Sequence, residues 1–318
     1  MPPRLAEKPH LDPRKFRDPL ITAKGEPRAR VALGQLQTLW FNTGTLCNLT
    51  CRNCYIESSP SNDRLAYLSA AEIRAYLDEI RDRGLATDEI GFTGGEPFMN
   101  PDLVPMIAEC LDRGFRVLVL TNAMKPMMKV REALLAARRR GGDRLVIRVS
   151  IDHYTRDVHE VERGARSWTP MLAGLHWLVA NDFHVHVAAR SLSGQTDAEI
   201  RRGFARFFAE HGVPIDAHDP LRLVVFPEMD ATVDVPEITE ACWGILKKSP
   251  DAMMCASSRM VVKRKGADRP AVVACTLLPY DAAFELGHTL AEAAGSVPLN
   301  HPHCAKFCVL GGGSCTRS

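Results

Sequence analysis

From residue 39 onward the chain alternates between short extended apolar runs and longer stretches whose apolar residues recur every three or four positions. Residues 39–45, 89–93, 115–121, 145–151, 184–190 and 221–226 read as strands. Residues 69–83, 101–113, 125–140, 170–181, 196–211 and 236–248 read as helices. Ser69 with Glu72, and Thr196 with Glu199, have the spacing of a reciprocal helix cap. Gly84, Gly114 and Gly141 stand where helices should stop. The run FRVLVLT at 115–121 is apolar almost throughout, as expected of a parallel strand covered on both faces. Six strand–helix units in succession predict an α/β chain with a parallel sheet and helical crossovers. Periodicity leaves open whether that sheet is flat or curled into a partial barrel.

The flanks differ. Residues 1–36 hold several prolines and many charges with little periodicity, and read as an irregular N-terminal extension. After Lys248 the pattern shortens to two β-like runs, 260–263 and 271–274, that predict a hairpin, followed by a loop-rich remainder. The expected organisation is therefore an extension over 1–36, a main domain over 37–249 and a small domain over 250–318. That last segment has too little apolar sequence for a core of its own, so a metal is the natural staple.

Composition narrows the function. The chain has 318 residues, 46% hydrophobic and 25% charged, with 40 basic against 38 acidic side chains. So small an excess gives no reason to expect nucleic acid or an anionic membrane as a partner. No apolar run reaches the ~18–20 residues of a membrane span, and the opening residues lack the apolar core of a signal peptide. A cytoplasmic protein is expected. There, ten cysteines are not held for disulfides and their spacing must be read for metal sites. Cys110 and Cys242 stand alone in helical patterns and read as small buried thiols.

Cys47, Cys51 and Cys54 lie just past the end of the first strand, the edge of a parallel sheet where active sites gather. A closed zinc site asks for four protein ligands. Three thiolates suit a [4Fe–4S] cluster whose fourth iron stays open to a small molecule. A zinc site completed from elsewhere, or three unconnected thiols, are the alternatives.

The string CNLTCRNCY resembles the CxxxCxxC motif of the radical S-adenosylmethionine (SAM) enzymes, which follows the first strand of a six-stranded partial (βα)6 barrel. The order of later motifs agrees. Gly94, Gly95 and Glu96 follow the second strand, like that family's GGE motif. Thr121 and Asn122 end the third, and Ser150 and Asp152 close the fourth, like the residues that face the ribose. Many members carry an aromatic residue just before the third cysteine, where this chain has Asn53; Tyr55 is placed to supply that packing. The resemblance implies a partial TIM-like barrel in which Cys47, Cys51 and Cys54 hold a [4Fe–4S] cluster. Tyr55, Gly94, Gly95, Glu96, Asn122, Ser150, Asp152 and Arg190 would line the SAM site, with the GGE motif contacting the SAM amino group. It implies reductive cleavage of SAM to a 5′-deoxyadenosyl radical that takes hydrogen from a substrate carbon, the cofactor supplying the reaction and the protein orientation and exclusion of water.

Cys255, Cys275, Cys304 and Cys308 bracket the hairpin and continue toward Cys315. Zinc on four thiolates is one reading of this group. The other is its likeness to the twitch domain, the short relative of the SPASM domain, which implies an auxiliary [4Fe–4S] cluster with Cys315 as an alternative ligand. A fully ligated second cluster implies electron transfer and net two-electron oxidation of the substrate. An open one would anchor substrate for rearrangement, carbon–carbon bond formation or peptide modification. A non-catalytic iron–sulfur or zinc sensor or scaffold is the alternative of another kind. An external one-electron reductant such as flavodoxin or ferredoxin is expected. A small molecule is favoured over a peptide as substrate, because residues 1–36 are too short for a peptide-recognition domain. His153, Tyr154 and Glu228 are the candidates for substrate contact. His184 and His186 alternate on one strand without a third ligand and read as lumen or core residues.

Overall fold

The computed structural model describes residues 9–191, 194–228 and 230–313. Strands β1 (Thr38–Asn42), β2 (Glu89–Thr93), β3 (Arg116–Thr121), β4 (Leu145–Asp152), β5 (His184–Arg190) and β6 (Leu223–Phe226) are the six expected. They pair in chain order, every neighbour parallel. Alternation along each strand sorts the core. On β4, Leu145, Ile147, Val149 and Ile151 pack toward the helices, whereas Val146 joins the cluster on the inner face, which it shares with Arg148, Ser150 and Asp152. Trp40 likewise faces inward between Leu39 and Phe41, which face the helices.

Helices α1 (Ala70–Asp82), α2 (Leu103–Asp112), α3 (Lys125–Lys129), α4 (Arg131–Gly141), α5 (Arg156–Arg163), α6 (Trp168–Ala180) and α7 (Asp197–Glu210) cover the outer face. Both reciprocal caps form: Ser69 accepts from the Glu72 amide and Thr196 from the Glu199 amide, each with the return bond from the glutamate. Three expectations are corrected. The helix expected over 125–140 is broken at Val130, whose φ of −107° and ψ of 16° end α3 and start α4. The helix expected over 236–248 shrinks to α8 (Cys242–Leu246). Residues 237–240 instead bond to the N-terminal segment: Glu237 accepts from the Phe16 and Ala23 amides at 2.7 Å, and Ala29 donates to the Ile238 carbonyl. The third correction is α5, which periodicity did not mark. Only His159 and Glu162 are buried on it, so it has no apolar stripe to find.

Past residue 250 the sheet continues. Strand β7 (Ser258–Val262) pairs parallel with β1, and β8 (Ala271–Val273) and β9 (Glu285–Gly287) add antiparallel to it. The expected hairpin is thus β7–β8, hydrogen-bonded onto the first strand of the main sheet. The nine strands run in the order β9-β8-β7-β1-β2-β3-β4-β5-β6, with one barrel edge lengthened by the C-terminal segment. Residues 9–36 lie along residues 232–240 and 297–299. Arg30–Val31 pairs with Val297–Pro298, and the Arg28 guanidinium is buried against Glu237 at 2.5 Å.

Candidate active site

The C-terminal ends of β1 to β5 open onto one cavity of ≈ 130 Å³. Cys47, Cys51, Cys54, Tyr55, Gly94, Gly95, Asn122, Ser150, Asp152, Arg163 and Arg190 line it. The structure therefore gathers all but one of the residues expected around the first cysteine group. Glu96 is the one turned away. Its carboxylate accepts from the Asn122 amide at 2.8 Å, the Thr121 hydroxyl at 2.8 Å and the Phe98 amide at 3.2 Å. The GGE segment thus presents glycine backbone to the cavity, while its glutamate ties β2 to the end of β3. Burial raises the Glu96 carboxyl to about 7 against those three hydrogen bonds.

The cysteine loop hangs from backbone contacts. Gly95 donates to the Gly44 carbonyl at 2.9 Å and Glu96 to the Leu46 carbonyl at 3.1 Å. A Cβ on Gly94 would lie 2.5 Å from the Gly44 oxygen, and one on Gly95 2.2 Å from the Leu46 oxygen. Gly94 also has φ of +138°, where a side chain is strained. The far side of the loop is held by the C-terminal segment. Tyr280 donates its hydroxyl to the Ile56 carbonyl at 2.8 Å, and the Arg64 guanidinium lies 3.7 Å over the Tyr280 ring.

Within the loop, the Leu49 amide donates to the Cys47 sulfur at 3.4 Å and the Ser58 amide to the Cys54 sulfur at 3.3 Å. Burial pushes the Cys47 thiol up to about 12 and raises that of Cys51. A metal reverses this cost, since a coordinating thiol is deprotonated outright. Among the described residues no group of three or more His, Cys, Asp or Glu side chains is already set to hold a single metal ion; the three thiols line one cavity, and two of them accept from backbone amides. That donor set fits an iron–sulfur cluster.

Arg163 and Asp152 form an ion pair in the wall: Nη2 donates to Asp152 Oδ1 at 3.0 Å, and Nε lies 2.9 Å from Oδ2. Burial works against the guanidinium charge, and the Asp152 carboxylate overcomes it. Arg163 comes from α5 and was missed by sequence reasoning. The one signal for that helix is Gly164, its stop. Asn48 was missed too; its side-chain oxygen accepts from Asn122 at 2.9 Å.

A second chamber, of ≈ 110 Å³, shares Tyr55, Leu120, Ser150, Asp152, Arg163 and Arg190 with the first and adds Ala188, Phe226, Leu277 and Phe307. The Phe226 and Phe307 rings stack at 5.5 Å. Phe307 sits between Cys304 and Cys308 on a widened helical turn, Cys304–Leu310, and Leu277 follows Cys275 by two residues. Cys255, Cys275, Cys304 and Cys308 together border a small apolar cavity with Met254, Leu278, Phe284 and His303. Burial raises Cys255 to about 11 and Cys304 well above its ordinary range. Cys315 lies outside the described residues.

The remaining candidates are elsewhere. His153 is hydrogen-bonded to Thr155 at 2.8 Å and Gln195 at 3.0 Å, and Tyr154 packs on Phe204 and receives the Gln195 amide at 2.7 Å. Neither they nor Glu228 border these cavities. His184 and His186 face each other at 3.1 Å, and a cavity of ≈ 180 Å³ lies among Glu89, Arg116, Arg148 and His186, with Gly312 and Gly313 of the C-terminal segment also in its wall.

Two predictions follow from this geometry. Substituting Gly95→Ala forces the Leu46 carbonyl away, so iron bound after anaerobic reconstitution should drop by about four per chain, one cluster's worth; full loading would contradict the contact. Glu96 titrates near 7 in the folded protein against 4.5 ordinarily, so the folded state holds the proton over that interval. The stability of the apo-protein relative to Glu96→Gln should then fall as pH rises from 4.5 to 7, by on the order of 3 kcal/mol. Urea unfolding at both ends of the interval measures it, and a difference independent of pH would contradict the burial.

Known proteins place this geometry. The chain is 31% identical over 120 residues to the antilisterial bacteriocin subtilosin biosynthesis protein AlbA of Bacillus subtilis, covering 38% of this chain and 25% of that protein. It is 32% identical over 159 residues to the AdoMet-dependent heme synthase of Methanosarcina barkeri, covering 50% and 43%. The chain thus spans less than half the length of these relatives. The solved structure of anSMEcpe with bound AdoMet shares the fold, with a TM-score of 0.57 at 14% identity over 81% of this chain and 80% of that one. The Radical SAM superfamily model matches residues 41–204, just over half of the chain. The sheet, the cysteine loop and that match agree: the chain belongs to the radical SAM superfamily, whose members bind a [4Fe–4S] cluster and SAM.

Proposed function

We propose that the chain is a radical SAM oxidoreductase, and that its second cysteine group holds an auxiliary [4Fe–4S] cluster that accepts an electron from the substrate. The observation that carries this reading is the shared wall of the two chambers, which runs from the first three thiols to Phe307 and Leu277 beside the second group. Cluster and SAM supply, when bound, reductive cleavage of the sulfonium and hydrogen abstraction from carbon.

The chain's own residues do the rest. Cys47, Cys51 and Cys54 hold the first cluster. The Gly94–Gly95 backbone lets the cofactor approach closely. The Asp152–Arg163 pair, with Ser150 and Arg190, gives the cavity fixed polar groups for the carboxylate and ribose. Leu120, Ala188, Phe226 and Phe307 keep water from the reacting carbon, so its radical meets no solvent. Cys255, Cys275, Cys304 and Cys308 hold the second cluster, with Cys315 as the alternative ligand. The apolar chamber suits a reacting carbon carried on an apolar group, and a small molecule is the substrate class preferred. AlbA, a bacteriocin biosynthesis protein by name, favours the second reading, a peptide side chain in the same chamber. The electron enters from an external one-electron donor of the flavodoxin or ferredoxin kind. None of the described helices is long and apolar enough to cross a membrane.

Iron, sulfide and zinc per chain after anaerobic reconstitution test this reading. About eight irons are expected in the wild type, and about four in Cys275→Ser/Cys304→Ser, which should still cleave SAM. About four irons with one zinc in the wild type would make the second group a structural staple and overturn the oxidative assignment.

A further inference from the structure

Where this chain departs from the family motif, at Asn53, the structure shows a connection to the one helix that periodicity missed. The Asn53 side-chain amide donates to Glu162 Oε2 at 2.5 Å. The Arg52 backbone amide donates to the Glu162 carbonyl at 2.8 Å. The Arg190 guanidinium donates to the Asn53 carbonyl at 2.6 Å. Residues 52–53 are the two between the second and third cysteines, so three hydrogen bonds from α5 and the end of β5 fall on the shortest and most constrained part of the loop. Asn53 lies on the outer side of the loop and does not line the cavity, whereas Glu162 is buried. The next residue along α5 is Arg163, which pairs with Asp152 in the cavity wall. One helical turn therefore grips the loop with its glutamate and the cofactor pocket with its arginine.

We propose that Glu162 is a positioning residue for the first cluster: through Asn53 it latches the Cys51–Cys54 turn, so that the loop keeps its three thiols together and aligned with the Asp152–Arg163 pair. The proposal rests on the assignment of the cluster to Cys47, Cys51 and Cys54. A hydrogen bond to a buried carboxylate is among the stronger kinds, and leaving that carboxylate without its donor is costly. The latch acts only while its partners are an amide and a carboxylate. A second carboxylate at position 53 would face Glu162 as a like charge, and an amide at 162 would restore the pair with donor and acceptor exchanged.

The test is a two-position cycle on the reconstituted full chain, read as the rate of iron release to a ferrous chelator under anaerobic conditions and as the change in the reduced-cluster EPR signal on adding SAM. Asn53→Asp should release iron about ten-fold faster and blunt the SAM-induced change. Adding Glu162→Gln to it should bring both back toward wild type. The apo-protein of every variant should still unfold in a single cooperative transition, so that faster iron release reports the loop rather than loss of the barrel. Wild-type release rates in Asn53→Asp, or no rescue by Glu162→Gln, would overturn the latch while leaving the cluster assignment intact. A wild-type chain that takes up no labile iron at this site would overturn the cluster assignment and the latch with it.

Discussion

Past the ends of β1 and β2 the backbone runs double, residues 43–46 against residues 93–96, with hydrogen bonds of 2.8–3.1 Å between them and no room for a Cβ at either glycine. Everything at the site is referred to this contact. It sets the height at which the chain leaves β1 and so fixes Cys47. It exposes backbone rather than side chain to the cavity. It also turns Glu96 inward, where its carboxylate holds the Thr121–Asn122 end of β3. A parallel sheet converges its C-terminal ends on one side, but convergence alone gives loose loops. Backbone packed directly on backbone turns a cysteine-bearing loop into a part of the sheet.

The second cysteine group is tied to the first by the same sheet. Because β7 pairs with β1, the segment that follows β8 returns over the strand ends, and Cys275 and Leu277 arrive beside the lumen. Tyr280 then reaches the loop of the first group through the Ile56 carbonyl and Asn62. The lumen is graded as a result. Polar groups and thiols stand at the top, and an aromatic chamber divides them from the second set of thiols. In the function proposed above, a radical formed in that chamber would have apolar walls on the way to the second cysteine group.

The six barrel strands, both reciprocal caps and the cysteine loop were legible in the sequence, because each has a local signature: alternation, a four-residue spacing, a thiol triplet. What was hidden is tertiary. Helix α5 has no apolar stripe, because what it buries is His159 and Glu162, so its arginine and glutamate are visible only once the fold brings them to the loop. The helix expected over 236–248 lost most of its length to hydrogen bonds with residues 16–29, more than two hundred positions away. Glu96 was assigned to the cofactor from its motif, and the structure spends its carboxylate on three groups of the protein itself. His153 and Tyr154 followed Asp152 closely enough to be candidates, yet the chain turns at Asp152 and sends both toward α7.

Whether this geometry cleaves SAM is measured by incubating the anaerobically reconstituted chain with SAM and dithionite and quantifying 5′-deoxyadenosine. Reductant-dependent 5′-deoxyadenosine with methionine in equal amount is expected, lost when Cys51 is replaced by serine. An iron-replete chain that leaves SAM intact would contradict it and would make the two cysteine groups those of a sensor or scaffold.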